Sequence, residues 1–389
     1  MANNNNTKNL NVPNLRFPEF KGEWEKCKLE ECVVFLDGKR KPIKSSERVS
    51  EQKLYPYYGA SGIIDYIDDY LFDGKFILLS EDGANILDRN YRVAFIAEGK
   101  IWVNNHAHVL QSNDNIDINF IAEKLESLDY SIYNTGTTMP KLNQEVCRNI
   151  PLWLPPTEEQ VKIGTLLSLL NERITTQSKI IEKYESLIKG INEKLLINKK
   201  EYTTYRLSDI CEIRSGYSGT QLTGTQGLMV SRIETISKHC INLDKVGYVK
   251  PFDSSADFKL HIGDILFSNI NSVQYIGNTA FVDREYDLYH GMNLLRLIPR
   301  KIVEPFYVFL LLNTAKYKIH FQSICNKAIS QASINQTELG KTVIHIPDLL
   351  YQKQICQLYN SLYNKKNIEN LYLQALKQQK NHLLRQMVI

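Results

Sequence analysis

Apolar residues recur every three or four positions along two long stretches, one in the middle of the chain and one at its C-terminus. In the first stretch the steps alternate between four and three for about four and a half heptads. This pattern is typical of a coiled coil, because a helix in an ordinary core has a broader apolar face. The first seam consists of Ile163, Leu167, Leu170, Ile174, Gln177, Ile181, Tyr184, Ile188, Ile191 and Leu195.

The second seam contains more polar positions than the first. Polar residues inside a seam favour pairing with one specific helix over self-association, and the first long helix is the obvious partner. The second seam consists of Ile355, Tyr359, Leu362, Lys366, Glu369, Leu373, Leu376, Lys380, Leu383 and Met387.

Shorter elements can be predicted from the same kind of pattern. Thr157, with Gln160 three residues later, has the spacing of a capping box, which predicts Thr157 as the N-cap of the first long helix. Apolar runs bounded by Gly and Asp-Gly turns predict strands in both halves of the chain, so the fold class is α/β. The predicted strands are 75–80, 91–97, 100–105, 263–270, 278–283 and 293–299, and the predicted short helices are 117–133 and 305–321.

One segment occurs twice. Residues 142–163 align without a gap with residues 334–355, at an offset of 192. Each copy follows a strand-rich region and leads into a long helix, so the repeat predicts two similar domains, each followed by a spacer helix. The predicted boundaries are a disordered lead-in at 1–14, a first domain at 15–155, a first long helix at 156–198, a second domain at 199–346 and a second long helix at 347–389.

Composition narrows the class of protein. The 389 residues are 43% hydrophobic and 23% charged, as expected for two or three globular domains. The longest apolar run, 306–312, is far shorter than the roughly 18 residues that span a membrane. The Asn-rich start lacks the apolar core of a signal peptide. Seven cysteines without a CxxC pair suit a reducing cytoplasm and argue against a structural zinc site.

The net charge of +4 is mildly basic. A protein that binds nucleic acid alone usually carries a larger excess, because phosphate contacts supply most of the affinity. The charge therefore permits DNA binding, with affinity borrowed from partner proteins.

Several of these segments together resemble one protein family, the specificity subunit of type I restriction-modification systems. The matching segments are 15–24, 136–144, 150–160 and 333–347, with 57–84 and 102–110 in the first half and 258–269 and 289–299 in the second. The resemblance implies two target-recognition domains, each followed by a long helix, with the two helices packed as an antiparallel coiled coil with pseudo-two-fold symmetry.

The resemblance also implies a function. Such a protein reads a bipartite sequence in double-stranded DNA and has no catalytic activity of its own. Two methyltransferase subunits dock on it, and restriction subunits can join them. No cofactor and no membrane contact are expected.

Signatures of catalysis are absent from the sequence. It lacks the Gly-rich loop and Asn/Asp-Pro-Pro-aromatic motif of DNA methyltransferases, a GxxxxGK[ST] motif for ATP and an HExxH motif for zinc. His106 and His108 are spaced to lie on one face of a strand, but a metal site needs a third ligand. A hydrogen-bonded histidine pair is the simpler interpretation. A metal-dependent nuclease that uses this pair, and a coiled-coil scaffold that never touches DNA, remain the alternatives.

Candidate DNA contacts in the first half lie in three segments. Flexible cations in the basic loop 37–48 can follow a phosphate backbone, although the loop can equally be solvated. Amides and a histidine at 104–106 can point into a groove, since Asn pairs with adenine. Hydroxyls and a lysine in the first hinge loop (134–143) match polar residues in the second hinge loop (326–335), and these can contact phosphate or simply form turns. The candidates are Lys39, Arg40, Lys44, Asn104, Asn105, His106, Thr137, Thr138 and Lys141, with Ser330, Gln331 and Ser333 in the second hinge loop.

Candidates in the second half are polar residues close to the ends of predicted strands. Base-reading residues differ between targets, so the resemblance does not place them. The candidates are Arg214, Arg232, Ser268, Asn269, Asn271, His290 and Asn293.

Overall fold

The computed structural model describes residues 11–48, 52–197, 202–237, 239–327 and 331–389. Residues 1–10 of the predicted lead-in lie outside the described part. The chain forms two compact units, residues 1–179 with 371–389 and residues 180–370. Both divisions fall within the long helices, so each unit holds a segment of each helix. The domain boundaries given above remain predictions.

The first unit is mixed α/β. Strands β2, β7, β5, β6, β3 and β4 form one sheet in that order, and β1 pairs with β8 in a separate antiparallel ribbon. The strands are β1 (Glu25–Lys28), β2 (Val33–Phe35), β3 (Tyr55–Gly59), β4 (Gly62–Ile67), β5 (Phe72–Ser80), β6 (Ala94–Val103), β7 (Ala107–Ser112) and β8 (Pro151–Leu154). The helices are α1 (Leu29–Cys32), α2 (Asn85–Asp88), α3 (Ile118–Ser127) and α4 (Gln144–Arg148), with 3-10 turns at Asp37–Lys39, Ser45–Glu47 and Tyr130–Tyr133.

The apolar run in β5 follows from its position in the sheet. Ile77 and Leu79 belong to the core that includes Phe120 of α3, whereas Phe76 and Leu78 belong to a second apolar cluster that includes residues of β6 and β7. A strand that is buried on both faces needs apolar residues at consecutive positions. The predicted strand at 75–80 is therefore confirmed as the second half of β5.

Two predicted elements of the first unit differ from the structure. The strands predicted at 91–97 and 100–105 form one continuous strand, β6, in which Gly99 has a positive φ of 86° and pairs with Gly74, whose φ is 141°. Two glycines with left-handed backbones opposite each other let the pairing continue across the break that the sequence suggests. The helix predicted over 117–133 ends at Ser127 and is followed by a 3-10 turn.

The second unit is also mixed α/β. Strands β10, β16, β13 and β15 form one antiparallel sheet in that order, β14, β18 and β17 form a small one, and β9 pairs with β19 as β11 does with β12. The strands are β9 (Thr203–Arg206), β10 (Cys211–Ser215), β11 (Leu228–Val230), β12 (Gly247–Val249), β13 (Ile265–Ser268), β14 (Ile270–Asn271), β15 (Thr279–Phe281), β16 (Leu294–Pro299), β17 (Asn326–Lys327), β18 (Ala332–Ser333) and β19 (Val343–Ile346).

The helices that follow α4 in chain order are α5 (Thr157–Ile197), α6 (Leu207–Ile210), α7 (Ser255–Phe258), α8 (Pro305–Leu312), α9 (Ala315–Ile324), α10 (Gln336–Gly340) and α11 (Leu349–Met387), with 3-10 turns at Ile233–Ile236 and Leu243–Lys245. The helix predicted over 305–321 is broken into α8 and α9. Asn313 ends α8 by donating its amide to the carbonyl of Phe309 (2.8 Å) and to the hydroxyl of Thr279 (2.6 Å). These bonds turn the chain before α9 starts.

The long helices α5 and α11 bury their seams as predicted. The buried seam residues are Ile163, Leu167, Leu170, Gln177, Ile181 and Ile188 in α5, and Ile355, Tyr359, Leu376 and Met387 in α11. The other seam residues are half-buried, except Leu195, whose side chain lies outside the described part. None of the described helices combines the length and apolar character needed to cross a membrane.

The two helices run antiparallel within each unit. In the first unit Arg173 of α5 donates to the hydroxyl of Tyr372 in α11 (2.6 Å), and Leu167 shares a core with Met387. In the second unit Lys366 of α11 pairs with Glu185 of α5 at 3.0 Å. The polar seam position at Lys366 therefore bonds to the first long helix, as expected for a seam that selects its partner.

The N-terminus of α5 is not capped as predicted. The hydroxyl of Thr157 donates to the carbonyl of Asn115 (2.8 Å), and the carbonyl of Pro156 accepts from the first free helical amides. The prediction of a capping box was wrong because the side chain of Gln160 is bonded to other backbone groups.

Candidate nucleic-acid interface

The repeated glutamine performs the same task in both copies. Gln160 and Gln352 are buried, and each donates to the carbonyl of the proline five residues before it (2.9 and 2.8 Å). Each also accepts from a backbone amide at the start of a domain helix, 3.0 Å from the N-cap residue of α3 and 2.9 Å from that of α8. The glutamine thus joins the turn before each long helix to the domain that precedes it.

The repeated Asn-Gln pair is used in the same way twice. The side chains of Asn143 and Asn335 cap α4 and α10, each accepting from a backbone amide at 2.8 Å. Gln144 then donates to Asp37 just beyond β2 (3.1 Å), and Gln336 donates to the carbonyl of Ile213 in β10 (2.7 Å). Both short helices are therefore tied to the strand region that follows the first short helix of their domain.

The hinge loops dock at equivalent strand ends. The first hinge loop lies beside the end of β5, where the amide of Leu142 donates to the carbonyl of Glu81 (2.7 Å). The second hinge loop lies beside the end of β13, where the amide of Ile334 donates to the carbonyl of Asn269 (2.9 Å). Each domain thus presents a hinge loop and a strand end side by side. Ser330 lies outside the described residues.

The first of these sites contains an ion network. Arg40 pairs with Glu81 (2.7 Å) and Asp37 (3.5 Å) and donates to the carbonyl of Ala107 (2.8 Å), and its side chain is 14% exposed. The expectation that Arg40 contacts phosphate is therefore corrected, because its guanidinium is occupied inside the domain. Lys141 reaches the same carboxylate, 3.4 Å from Glu81, but stays half-exposed.

His108 is the buried centre of this network. Its Nδ1 is 2.6 Å from Asp37 and its Nε2 is 2.8 Å from the carbonyl of Leu142, so both nitrogens face acceptors. Burial alone would lower the pKa of His108, but its interactions with Asp37 and then Cys147 raise it to about 10. Burial would likewise raise the pKa of Asp37, and His108 and Arg40 hold that pKa below its usual range. The pair is therefore charged at neutral pH.

The two histidines of the HxH motif do not share a face. His106 lies in the turn before β7, half-exposed, with its Nδ1 2.9 Å from both carboxylate oxygens of Asp82, whereas His108 lies buried within β7. The prediction that they point the same way was wrong, because the strand begins only at Ala107. Within the described ranges no group of three or more His, Cys, Asp or Glu is placed to hold a metal ion.

The remaining first-domain candidates divide into buried and exposed side chains. Asn104 is buried and accepts from the amide of His106 (2.8 Å), so it shapes the turn. The expectation that Asn104 points into a DNA groove is therefore corrected. Asn105, Thr137 and Thr138 are exposed beside it or on the hinge loop. These three keep the accessibility that a DNA contact requires.

The basic loop is held to the sheet by its backbone. The amide of Lys41 donates to the carbonyl of Val103 (3.3 Å), and the indole of Trp102 donates to the carbonyl of Lys41 (2.7 Å). The side chains of Lys39 and Lys44 point outward and are exposed. An anchored backbone with exposed ammonium groups suits contact with phosphate better than a freely solvated loop would.

The second site is built from amides and hydroxyls. Asn269 donates to the carbonyl of Ile334 (3.3 Å), and Asn271 donates to the hydroxyl of Ser268 (3.1 Å). Ser268 is completely buried, so it supports the site from inside the domain. The expectation that Ser268 contacts DNA is therefore corrected. Ser333 lies half-buried in β18 opposite β14, and Gln331 is exposed.

His290 is a structural residue. It is buried, and its Nε2 donates to the carbonyl of Leu294 (2.9 Å). Burial lowers the pKa of His290 to about 4, so the ring is neutral at physiological pH. The expectation that it reads a base is corrected. Arg214 is exposed on β10 and pairs with Glu212 at 2.6 Å.

Two other candidates line one cleft of about 480 Å³. Arg232 is half-exposed and lies 3.6 Å from Glu234, and Asn293 is exposed with a left-handed φ of 65°. The cleft also contains Ser218, Thr220 and Gln221. Guanidinium, amide and hydroxyl groups in one concave surface match the donors and acceptors on base edges.

The sequence interpretation missed two features. Asp37, Glu81 and Asp82 organise the first site, and the signal was available, because Glu81 and Asp82 directly follow the apolar strand β5. In the second unit Tyr217 stacks on Phe252 with ring centres 3.9 Å apart. Their separation of 35 positions leaves no local pattern that predicts the contact.

Comparison with known proteins assigns most of the chain to one family. Residues 21–186 and 199–378 match the family described as the type I restriction modification DNA specificity domain. A relative from Methanocaldococcus jannaschii, named as a type I restriction enzyme MjaX specificity subunit, is 38% identical over 193 residues, 48% of this chain and 45% of that protein. The MjaVIII specificity subunit of the same organism is 23% identical over 95% of this chain and 92% of its own.

Solved structures share the fold. The type I S subunit from M. genitalium superposes with a TM-score of 0.66 at 15% identity, covering 97% of this chain and 99% of that one. A chain from a study of complex assembly and conformational transition of the type I R-M system has a TM-score of 0.53 at 15% identity, covering 93% and 96%. At this identity the likeness concerns the fold alone.

Proposed function

The chain belongs to the type I restriction modification DNA specificity family, a family that supplies specificity rather than catalysis, and we propose that each domain reads one half of a bipartite double-stranded DNA target. The observation that carries this proposal is the repeated docking of a hinge loop at a strand end, at Glu81 in one domain and at Asn269 in the other. Two domains with the same backbone arrangement but different side chains at this place are suited to recognise two different DNA sequences in the same way.

The exposed candidates divide by chemistry. Lys39, Lys44 and Lys141 carry cations that suit phosphate, and phosphate contacts set register without reading sequence. Residues with amide, hydroxyl or imidazole groups suit base edges. The proposed base-reading or turn-supporting residues are Asn105, His106, Thr137 and Thr138 in the first domain, and Arg214, Arg232, Asn269, Asn271, Asn293, Gln331 and Ser333 in the second.

We propose further that two methyltransferase subunits dock on this chain and that restriction subunits join the complex. The net charge of +4 supports this, because a protein with so small an excess gains DNA affinity from its partners. A type I R-M system is also the subject of one of the structural neighbours. Because its substrate is DNA, we expect the complex to act in the cytoplasm.

Two alternatives are weaker. A metal-dependent nuclease would need His106 and His108 to converge, and they bond instead to Asp82 and Asp37. A scaffold that never touches DNA gives no reason for exposed lysines on an anchored loop.

The test uses purified chain alone and with its methyltransferase partner, each assayed by gel shift and by methylation of random-sequence DNA. We expect weak binding alone and methylation at one bipartite motif in the complex. Cleavage by the chain alone would support the nuclease instead. A complex that assembles but neither binds nor methylates DNA would support the scaffold.

A further inference from the structure

The first site places carboxylates where a polyanion is to bind, which is unfavourable unless they have a partner. Three carboxylates, Asp37, Glu81 and Asp82, lie at the end of β5 and beyond β2. Asp37 and Glu81 are occupied by His108, Arg40 and Lys141. Their side chains are 8% and 15% exposed, whereas that of Asp82 is 24% exposed. Asp82 is thus the outermost of the three.

The bonding of Asp82 leaves it open to a ligand. Within the described part of the chain, the carboxylate of Asp82 contacts the side chain of His106, whose Nδ1 lies 2.9 Å from each oxygen. A carboxylate accepts at about four lone-pair positions, so one histidine leaves acceptor capacity unused. The half-exposed imidazole holds the carboxylate in place from one side.

The backbone around this pair is fixed on every side. The amide of Glu81 donates to the carbonyl of His106 (2.9 Å), and the amide of His106 is held by Asn104 (2.8 Å). The backbone of Asp82 forms an antiparallel β-bridge with the backbone of Lys141 in the hinge loop, and the amide of Gly83 donates to the carbonyl of Pro140 (3.0 Å). Such a rigid support is what a residue that discriminates between bases requires.

We propose that Asp82 is a specificity-determining residue that accepts a hydrogen bond from the N4 amino group of a cytosine in the major groove, with His106 as its positioning residue. The proposal rests on the proposed function of the first domain. Cytosine suits a carboxylate because its exocyclic amine is a pure donor, whereas adenine places the acceptor N7 beside its amine and would repel a second carboxylate oxygen. The half-site of the first domain then contains a C·G pair at this position.

The experiment uses the complete complex with the methyltransferase subunits. Binding and methylation are measured on duplexes in which each base pair of both half-sites is replaced in turn. Asp82→Asn should lower discrimination at one C·G pair by about 5- to 150-fold, the equivalent of about 1–3 kcal/mol. All other positions, including the whole second half-site, should keep their profile. Asp73→Asn, an exposed carboxylate at the opposite end of β5, is the matched control and should change nothing.

His106 provides a second, independent readout. His106→Ala should relax the same base pair as Asp82→Asn, while His106→Asn, which keeps a donor towards Asp82, should restore most of the discrimination. This series stands even if the Asp82 variant fails to assemble.

Three results would overturn the inference: an unchanged profile for Asp82→Asn, relaxation at an A·T pair, or equal weakening at every position. A wild-type complex without any bipartite preference would instead overturn the proposed function itself.

Discussion

The two domains share a frame but fill it with different chemistry. Both use a buried glutamine, an asparagine cap and a docked hinge loop, and these contacts are directed largely at backbone atoms. At the strand end the first domain places charged residues, centred on His108 and Glu81, whereas the second places the amides of Asn269 and Asn271. Backbone-directed contacts constrain few neighbouring side chains, so the frame can be kept while the reading surface changes.

The buried histidines show the same difference. His108 is held as a cation between Asp37 and a carbonyl, with its pKa raised to about 10. His290 is held neutral against one carbonyl, with its pKa lowered to about 4 by burial. Two histidines with similar burial thus have different charge states, one cationic and one neutral, because only one has a carboxylate partner.

The largest effect is expected from removing the charged histidine. His108→Gln removes the closer of the two cations that Asp37 contacts and should lower the free energy of unfolding by about 3 kcal/mol or more. The matched change His290→Gln removes one hydrogen bond from a neutral ring and should cost about 1–2 kcal/mol. Hydrogen exchange of peptides from β5 and from β13 assigns each loss to its unit. Equal losses would contradict the assigned charge states.

His108 and His290 should also differ in how their contributions to stability depend on pH. His108 binds its proton more tightly when folded, so its stabilisation is complete below about pH 6.5 and is lost as the pH rises towards 10, at most about 5 kcal/mol. His290 is harder to protonate when folded, so its stabilisation is complete above about pH 6.5 and is lost as the pH falls towards 4, at most about 3 kcal/mol.

These slopes can be measured by urea unfolding across the pH range. His108→Gln should flatten the alkaline side relative to wild type, and His290→Gln should flatten the acid side. If the alkaline slope of the wild type persisted in His108→Gln, that result would contradict the assignment of a positive charge to His108.

The shared frame predicts an equal effect in both units. Gln160→Ala and Gln352→Ala each leave a part-buried backbone amide and a buried carbonyl without their hydrogen-bond partner, and each should cost about 1–3 kcal/mol. Unfolding of the two variants should show losses that agree within about 1 kcal/mol. A loss of unfolding free energy in only one of the two variants would mean that the two glutamines do not stabilise their domains equally.

The smallest effect is expected from the exposed lysines. Lys39→Ala with Lys44→Ala should lower the salt dependence of DNA binding by up to about one unit per lost phosphate contact, with the methylated motif unchanged. Arg40→Gln, next to them in sequence, should leave the salt slope unchanged and lower stability instead. Binding measured over a range of salt concentrations separates the two, and a reduced slope for Arg40→Gln would return Arg40 to the phosphate contacts.

Elements with a long, regular pattern could be predicted from the sequence, whereas features that depend on contacts between distant residues could not. The heptads predict α5 and α11, because a seam repeated over many turns outweighs local irregularities. The break at Asn313 depends on Thr279, a residue 34 positions away, and the joining of two predicted strands in β6 depends on Gly74 facing Gly99. Such tertiary contacts have no local signal.

For the candidate site, the sequence indicated which segments lie together but not which of their side chains are accessible. The basic loop, the turn at 104–106 and the hinge loop do converge in the first unit. Whether a polar residue faces solvent or the interior depends on partners elsewhere in the chain. Asn104 and Ser268 are therefore buried supports although each neighbours an accessible candidate.

The most direct test of the account is to replace residues 206–325 with the corresponding part of another specificity subunit and to sequence the methylome of the host. Because the frame residues Gln160, Gln352 and Asn335 are kept, the hybrid should still methylate, with one half of the motif replaced and the other half unchanged. A motif that changes in both halves, or that does not change at all, would contradict the claim that each domain reads one half-site.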